Sequence, residues 1–83
     1  MKLLYFAWLR QRIGVGEEEI ELPDDVSTVG ELVEWLAARG PNYAQALAER
    51  AKLRVAVNQE YAQAGDPVKA GDEVALFPPV TGG

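Results

Sequence analysis

Apolar residues crowd the start of the chain, where Lys2 to Arg10 reads KLLYFAWLR. Read as a strand, it puts Leu3, Tyr5, Ala7 and Leu9 on one face and Leu4, Phe6 and Trp8 on the other, because successive side chains alternate. Both faces are apolar, which predicts either a strand covered on both sides or an apolar face left open for a partner. Gln11 to Gly16 reads as a loop punctuated by Gly14 and Gly16. Glu17 to Leu22 (EEEIEL) reads as a second strand, with Ile20 and Leu22 on one parity and acids on the other. Two adjacent strands with a short connection predict an antiparallel hairpin, ended by Pro23-Asp24-Asp25.

The period then changes. Val29, Leu32, Val33 and Leu36 recur at i, i+3, i+4 and i+7, the stripe of a buried helix. Thr28 and Glu31 have capping-box spacing, with Ser27 as the competing cap. Trp35 lies off the stripe and covers its edge, and Gly40-Pro41 stops the helix. A shorter helix, with Asn42 as its cap, runs through Tyr43, Ala46, Leu47 and Arg50 as a connector over the sheet edge. Leu53, Val55 and Val57 mark a third strand, Asn58-Gln59 a turn, and Tyr61 a short strand. Turn clusters follow at Gly65-Asp66-Pro67 and Ala70-Gly71-Asp72, with Val68 anchoring the loop between them. Glu73 to Phe77 is the last strand, with Val74 and Leu76 on one parity and Ala75 and Phe77 on the other. Pro78 lacks the N–H needed to continue the ladder. The order is strand, strand, helix, short helix, strand, short strand, strand. It predicts a two-layer α+β domain over 1–77, with a sheet on one long helix, followed by a tail over 78–83. The first and last strands, the most apolar, are expected side by side as a parallel central pair.

Composition narrows the chemistry. The 83 residues suit one domain and include neither cysteine nor histidine. Disulfides, thiolate nucleophiles and cysteine metal sites are excluded, and the usual base near neutral pH is missing. No metal site is expected. The net charge of −5 and the scatter of basic residues along the chain argue against nucleic acid and for a basic partner surface. No apolar run reaches membrane-spanning length and no signal peptide is visible, so a cytoplasmic setting without membrane association is expected.

Among polar clusters, Glu17-Glu18-Glu19 reads as a solvated hairpin end and Asp24-Asp25 as helix-entry chemistry. Gly14 and Gly16 belong to a turn rather than a phosphate loop. Phe6 and Trp8 on the first strand share a possible surface with Phe77 on the last, flanked by Tyr61; Arg10 is the other residue type favoured at binding hot spots. The tail leaves from that surface. Pro78 and Pro79 favour an extended path, and Gly82-Gly83 carries no side chain that would bar entry to a narrow slot. From Pro78 the tail reaches roughly 20 Å if extended.

Ala70 to Gly83, AGDEVALFPPVTGG, closely resembles the end of the molybdopterin synthase small subunit, the MoaD family of ubiquitin-like sulfur carriers. The resemblance extends to the opening strand ending in Leu9-Arg10, the helix start at Thr28-Val29, and Val55-Ala56-Val57-Asn58-Gln59. It implies a β-grasp, ubiquitin-like fold with a mixed sheet on one main helix plus a short one. It also implies a role in molybdenum cofactor biosynthesis centred on the Gly83 carboxylate. A ubiquitin-activating-enzyme-like adenylyltransferase, using ATP, would form an acyl-adenylate, and a sulfur donor enzyme would convert it to a thiocarboxylate. The small subunit would then dock on the large one and insert Pro78, Pro79, Val80, Thr81, Gly82 and Gly83. There the sulfur would attack the pyranopterin precursor, with acid–base residues supplied by the large subunit. The resemblance assigns Phe6, Arg10, Tyr61 and Phe77 to large-subunit contact and implies a heterotetramer. It implies no cofactor bound by this chain itself. Thiocarboxylate donation to thiazole or tRNA thiolation, and ubiquitin-like conjugation to lysines, are the alternatives.

Overall fold

β1 (Lys2–Tyr5) and β5 (Glu73–Phe77) pair in parallel at the centre of the sheet, with Leu3 opposite Val74 and Tyr5 opposite Leu76. β2 (Glu17–Glu19) runs antiparallel to β1, β3 (Arg54–Val57) antiparallel to β5, and β4 (Glu60–Ala62) antiparallel to β3. The strand order is β2-β1-β5-β3-β4. Among the described residues, three α-helices accompany the sheet: α1 (Ala7–Ile13), α2 (Val29–Ala37) and α3 (Pro41–Ala46). The computed structural model describes residues 1–79; Val80, Thr81, Gly82 and Gly83 lie outside the described residues. The mixed sheet on one main helix is the two-layer α+β arrangement that the pattern predicts and the β-grasp that the resemblance implies.

The core forms where the two periods meet. Leu3, Tyr5, Val55, Val74 and Leu76 supply the inner face of the sheet, and Val29, Leu32, Val33 and Leu36 of α2 pack with them. Leu9 and Ile13 of α1, with Ala46 and Leu47, complete this cluster. Burying a leucine contributes roughly 1.5–3 kcal/mol, and Leu3, Leu9, Leu32, Leu36, Leu47 and Leu76 are all fully buried. The capping box forms at Thr28: its Oγ1 accepts from the Glu31 N–H at 3.2 Å, and Glu31 Oε1 accepts from the Thr28 N–H at 3.1 Å. Ser27 adds its own N–H and hydroxyl to the same carboxylate oxygen.

The opening segment differs from its expected course. β1 ends at Tyr5, the chain turns through Ala7 at φ 55°, and α1 replaces both the rest of the expected strand and most of the expected loop. Pairing of β1 runs out near the end of β5: Tyr5 meets Leu76, and the Phe6 N–H makes one further bond to the Leu76 carbonyl at 3.1 Å. Beyond that, Leu9 and Ile13, one turn apart, bury together on a helix. Gly14 at φ 102° then ends α1, its N–H bonding the Arg10 carbonyl. β1 and β2 are antiparallel as expected, but a helix joins them instead of a short turn. β2 is also shorter than expected, while Ile20 and Leu22 pack partly buried against the core.

In α3 the cap is Gly40 with Pro41 at the first helical positions, not Asn42. The Asn42 amide instead donates to the Ile13 carbonyl at 2.7 Å, tying α3 to the end of α1. α3 packs on α1 and α2. A 3-10 turn, Arg50–Lys52, then leads into β3. Asn58 and Gln59, at φ 51° and 70°, form the tight turn between β3 and β4. Val68 is buried as the loop anchor.

Candidate functional site

Alternation along β5 divides the sheet into two faces. Val74 and Leu76 point into the core, so Glu73, Ala75 and Phe77 point away from it. The register carries this outer face across the strands: Leu4 lies beside Ala75, Ala56 joins Ala75 to Tyr61, and Arg54 lies beside Phe77. The centre of the outer face is therefore apolar, and the core helices lie on the opposite side.

The aromatic residues gather at one end of this face. The Tyr61 and Phe77 rings pack with centroids 5.8 Å apart at a 48° tilt. Tyr61 is nonetheless 79% exposed and Phe6 48% exposed, values high enough to require a reason in a domain with a closed core. Phe6 stands one step past the last β1–β5 pair, level with Phe77. Pro78 and Pro79 follow directly. Phe6, Tyr61 and Phe77 thus stand around the root of the tail, as the sequence predicts. Trp8 does not join them: the helical turn carries it onto α1, half-buried, with the Arg12 guanidinium 5.2 Å from its ring centroid.

Arg10 sits one helical turn after Phe6, on the same end of the molecule. Its guanidinium lies on the bare Cα of Gly16, where an added Cβ would come within 3.0 Å of Nε and Cζ. Gly16 therefore acts as a seat for Arg10, a role that the loop reading of Gly14 and Gly16 missed. The other tail residues expected at the site, Val80, Thr81, Gly82 and Gly83, lie outside the described residues.

A groove of about 870 Å³ runs beside the aromatic end, between α2 and the β3–β4 edge. Val29, Val33, Leu53 and Val55 line it, Arg50 and Arg54 stand along it, and Tyr61 and Phe77 join it to the tail root.

Glu18 is a second cluster, and sequence reasoning missed its role. Its expected place was a solvated hairpin end, but it shares the parity of Ile20 and faces inward. Glu18 Oε2 accepts from the Tyr5 hydroxyl at 2.7 Å and the Tyr43 hydroxyl at 2.8 Å, and Oε1 accepts from Arg39 Nη1 at 2.9 Å. Arg39 also lies over the rings of Trp35 and Tyr43. Burial pushes the Glu18 pKa up, but the three hydrogen bonds and the Arg39 charge outweigh it and hold the carboxyl below its ordinary range. Tyr5 is pushed well up, first by burial and then by its bond to the carboxylate. Every partner is engaged, so the cluster clamps β2 to the helices and offers no free base. Asp72 is similarly engaged with the Asn58 amide and the Lys69 N–H. Among the described residues, no group of three or more His, Cys, Asp or Glu side chains is placed to hold a metal ion. No described helix is long and apolar enough to cross a membrane.

Without a described catalytic cluster, the aromatic end at the tail root is the feature that asks for a partner. Residues 3–83 match the model of the ThiS family. The chain belongs to the ThiS family. It is 47% identical over 83 residues to the molybdopterin synthase sulfur carrier subunit of Haemophilus influenzae, covering 100% of this chain and 99% of that protein. Among solved structures, it matches a putative molybdopterin converting factor, subunit 1, from Pyrococcus furiosus with a TM-score of 0.79 and 38% identity over 95% of each chain. Small archaeal modifier protein 1 of Haloferax volcanii has a TM-score of 0.75 and 31% identity, with 96% and 97% of the two chains covered. In this ThiS-family chain, then, the β-grasp body presents an open aromatic end that leads directly into Pro78 and Pro79.

Proposed function

We propose that this chain is a sulfur carrier in molybdenum cofactor biosynthesis and acts as the small subunit of molybdopterin synthase. The observation that carries the reading is the open aromatic end at the tail root, in a chain that resembles a molybdopterin synthase sulfur carrier subunit over its whole length. Phe6, Tyr61 and Phe77 dock on the large subunit, Arg10 fixes the orientation, and Pro78 to Gly83 enter its channel. Aromatic and arginine side chains dominate binding energy at such surfaces.

The chemistry falls on the Gly83 carboxylate. It attacks the α-phosphate of ATP held by a ubiquitin-activating-enzyme-like adenylyltransferase, expelling pyrophosphate and leaving an acyl-adenylate. A sulfur donor enzyme then supplies the sulfur that displaces AMP, giving the thiocarboxylate. Inside the synthase, that sulfur attacks the pyranopterin precursor held by the large subunit, and hydrolysis of the acyl–sulfur bond returns the carboxylate. With no cysteine in the chain, no internal thiolate competes for the activated terminus.

Intact-mass measurement on protein from cells making molybdenum cofactor tests this reading. A population with one terminal oxygen replaced by sulfur is expected, and the purified thiocarboxylate should convert the precursor when mixed with the large subunit. Deleting Gly83 should abolish transfer and leave the fold intact. Absence of the sulfur species together with Gly-Gly remnants on lysines of other proteins would overturn the proposal in favour of a modifier.

A further inference from the structure

The chain is acidic, with a net charge of −5, and its basic residues are scattered in sequence. The fold gathers them. β1 and β5 are parallel, so both finish at the end of the sheet where the tail departs. α1 begins there, immediately after Phe6, and brings Arg10 and Arg12. β3 runs antiparallel to β5, so it starts at that same end, with Arg54 opposite Phe77. The 3-10 turn just before it brings Arg50 and Lys52. Arg10, Arg12, Arg50, Lys52 and Arg54, five of the eight basic residues, thus surround the tail root, and all five are exposed.

Side-chain neighbours agree with this placement. Arg12 and Lys52 line one small depression on the surface. Arg50, Arg54 and Phe77 line the groove beside the tail root. The acids that reach this end are few: Glu49 pairs with Lys52 at 3.4 Å, and Glu34 stands along the groove with Arg50. Glu17, at the start of β2, is drawn to Lys2 at 3.4 Å. Glu73, Glu60 and Asp72 lie at the far end, around the start of β5 and the β3–β4 turn. The molecule is therefore polarised along the strands, positive at the tail exit against the sign of its net charge.

We infer that this basic collar docks against an acidic rim around the channel of the large subunit that receives the tail. The inference rests on the docking role proposed above and reverses, at the tail end, the basic partner surface expected from net charge. A local field of sign opposite to the net charge orients the approaching molecule and selects which end meets the partner first. The aromatic residues then supply the desolvated contact, with the cations standing outside them as a rim. The guanidinium of Arg10, seated on Gly16, is the collar residue nearest Phe6 in the chain.

Charge-matched reversals test this in the full-length chain. Arg12→Glu and Arg50→Glu change the collar. Lys69→Glu makes the same change in net charge at the far end, in the turn before β5. Association with the purified large subunit is followed by stopped-flow fluorescence at low salt and at about 0.5 M salt, where screening acts within a few ångströms. Each collar reversal should slow association about five- to tenfold at low salt, with dissociation nearly unchanged and the difference collapsing at high salt. Lys69→Glu should stay within about twofold of the parent chain. Thermal melts verify folding, and Arg50→Gln, which removes charge without reversing it, should fall between the parent and Arg50→Glu. Equal slowing by all three reversals, or faster association of the collar variants, overturns the acidic rim while leaving the docking role in place. Failure of the parent chain to bind the large subunit overturns both.

Discussion

Replacing Glu18 by alanine should be among the most damaging single changes on the sheet, although the residue lies in a run of three acids on an edge strand. Its carboxylate holds two tyrosine hydroxyls and one guanidinium. Tyr5 is only 1% exposed, so without Glu18 its hydroxyl has no acceptor and little access to water. Stranding a buried hydroxyl costs about 1–3 kcal/mol. Tyr43 and Arg39 are less enclosed and rehydrate, so their lost bonds add roughly 1 kcal/mol together. The expected loss is about 3 kcal/mol, or roughly 15 °C in Tm for a domain of this size. Urea unfolding of Glu18→Ala, Tyr43→Phe and Glu17→Ala measures it. Glu17 is exposed and, among the described residues, pairs with Lys2 alone, so its variant should stay within about 0.5 kcal/mol. A Glu18→Ala loss below about 1 kcal/mol would place the cluster in the class of surface ion pairs and refute the clamp. Docking should survive the change in conditions where the variant is folded, because Glu18 lies on the inner side of the sheet.

Three further outcomes follow from the same geometry. The carboxyls of Glu18 and Asp72 are held below their ordinary range in the folded protein. Their stabilisation is therefore full above the unfolded carboxylate pKa near 4 and is lost as pH falls through the lower folded values; urea midpoints across that acid range should fall steeply for the parent and less for Glu18→Gln. Tyr61→Ala should leave stability within about 0.5 kcal/mol, since the ring is 79% exposed, yet weaken large-subunit binding by about 2 kcal/mol or more in calorimetry. Gly14→Ala should cost about 1 kcal/mol or more in Tm measurements, because φ 102° is strained for any residue with a Cβ while nothing crowds the site.

What the sequence makes legible depends on whether one period wins. α2 is clear because Val29, Leu32, Val33 and Leu36 fit a helix and no strand, and Thr28 and Glu31 mark its start. The central parallel pair is clear because β1 and β5 are the most apolar short runs. The segment from Ala7 to Ile13 is ambiguous because KLLYFAWLR holds an unbroken apolar run, which fits a strand buried on both faces as well as a buried helix. Leu9 and Ile13 are four apart and Gly14 follows, which is the pattern of a short helix and its terminator. The unbroken apolar run hid that signal, and the misplacement of Trp8 on the docking face came with it. Glu18 shares the parity of Ile20, which grouping the acids on the opposite parity overlooked. Its partners, from β1, the end of α2 and α3, are brought to it only by the fold.

The charge pattern shows most plainly why part of the site is hidden from a linear reading. Arg10 and Arg54 are far apart in the chain and carry no spacing that suggests a common surface. They meet because the strands that precede and follow them finish or begin at one end of the sheet: β1 runs toward the tail root, and β3 runs away from it. Summed over the chain, the charge predicts a basic partner; resolved along the strands, it predicts an acidic one at the tail. Coulomb interactions in water fade over about 8 Å at physiological ionic strength. A partner at the tail root therefore feels the nearby collar more than the acids at the far end of a molecule 37 Å long. For docking at this end, the local sign governs, and it is set by strand direction.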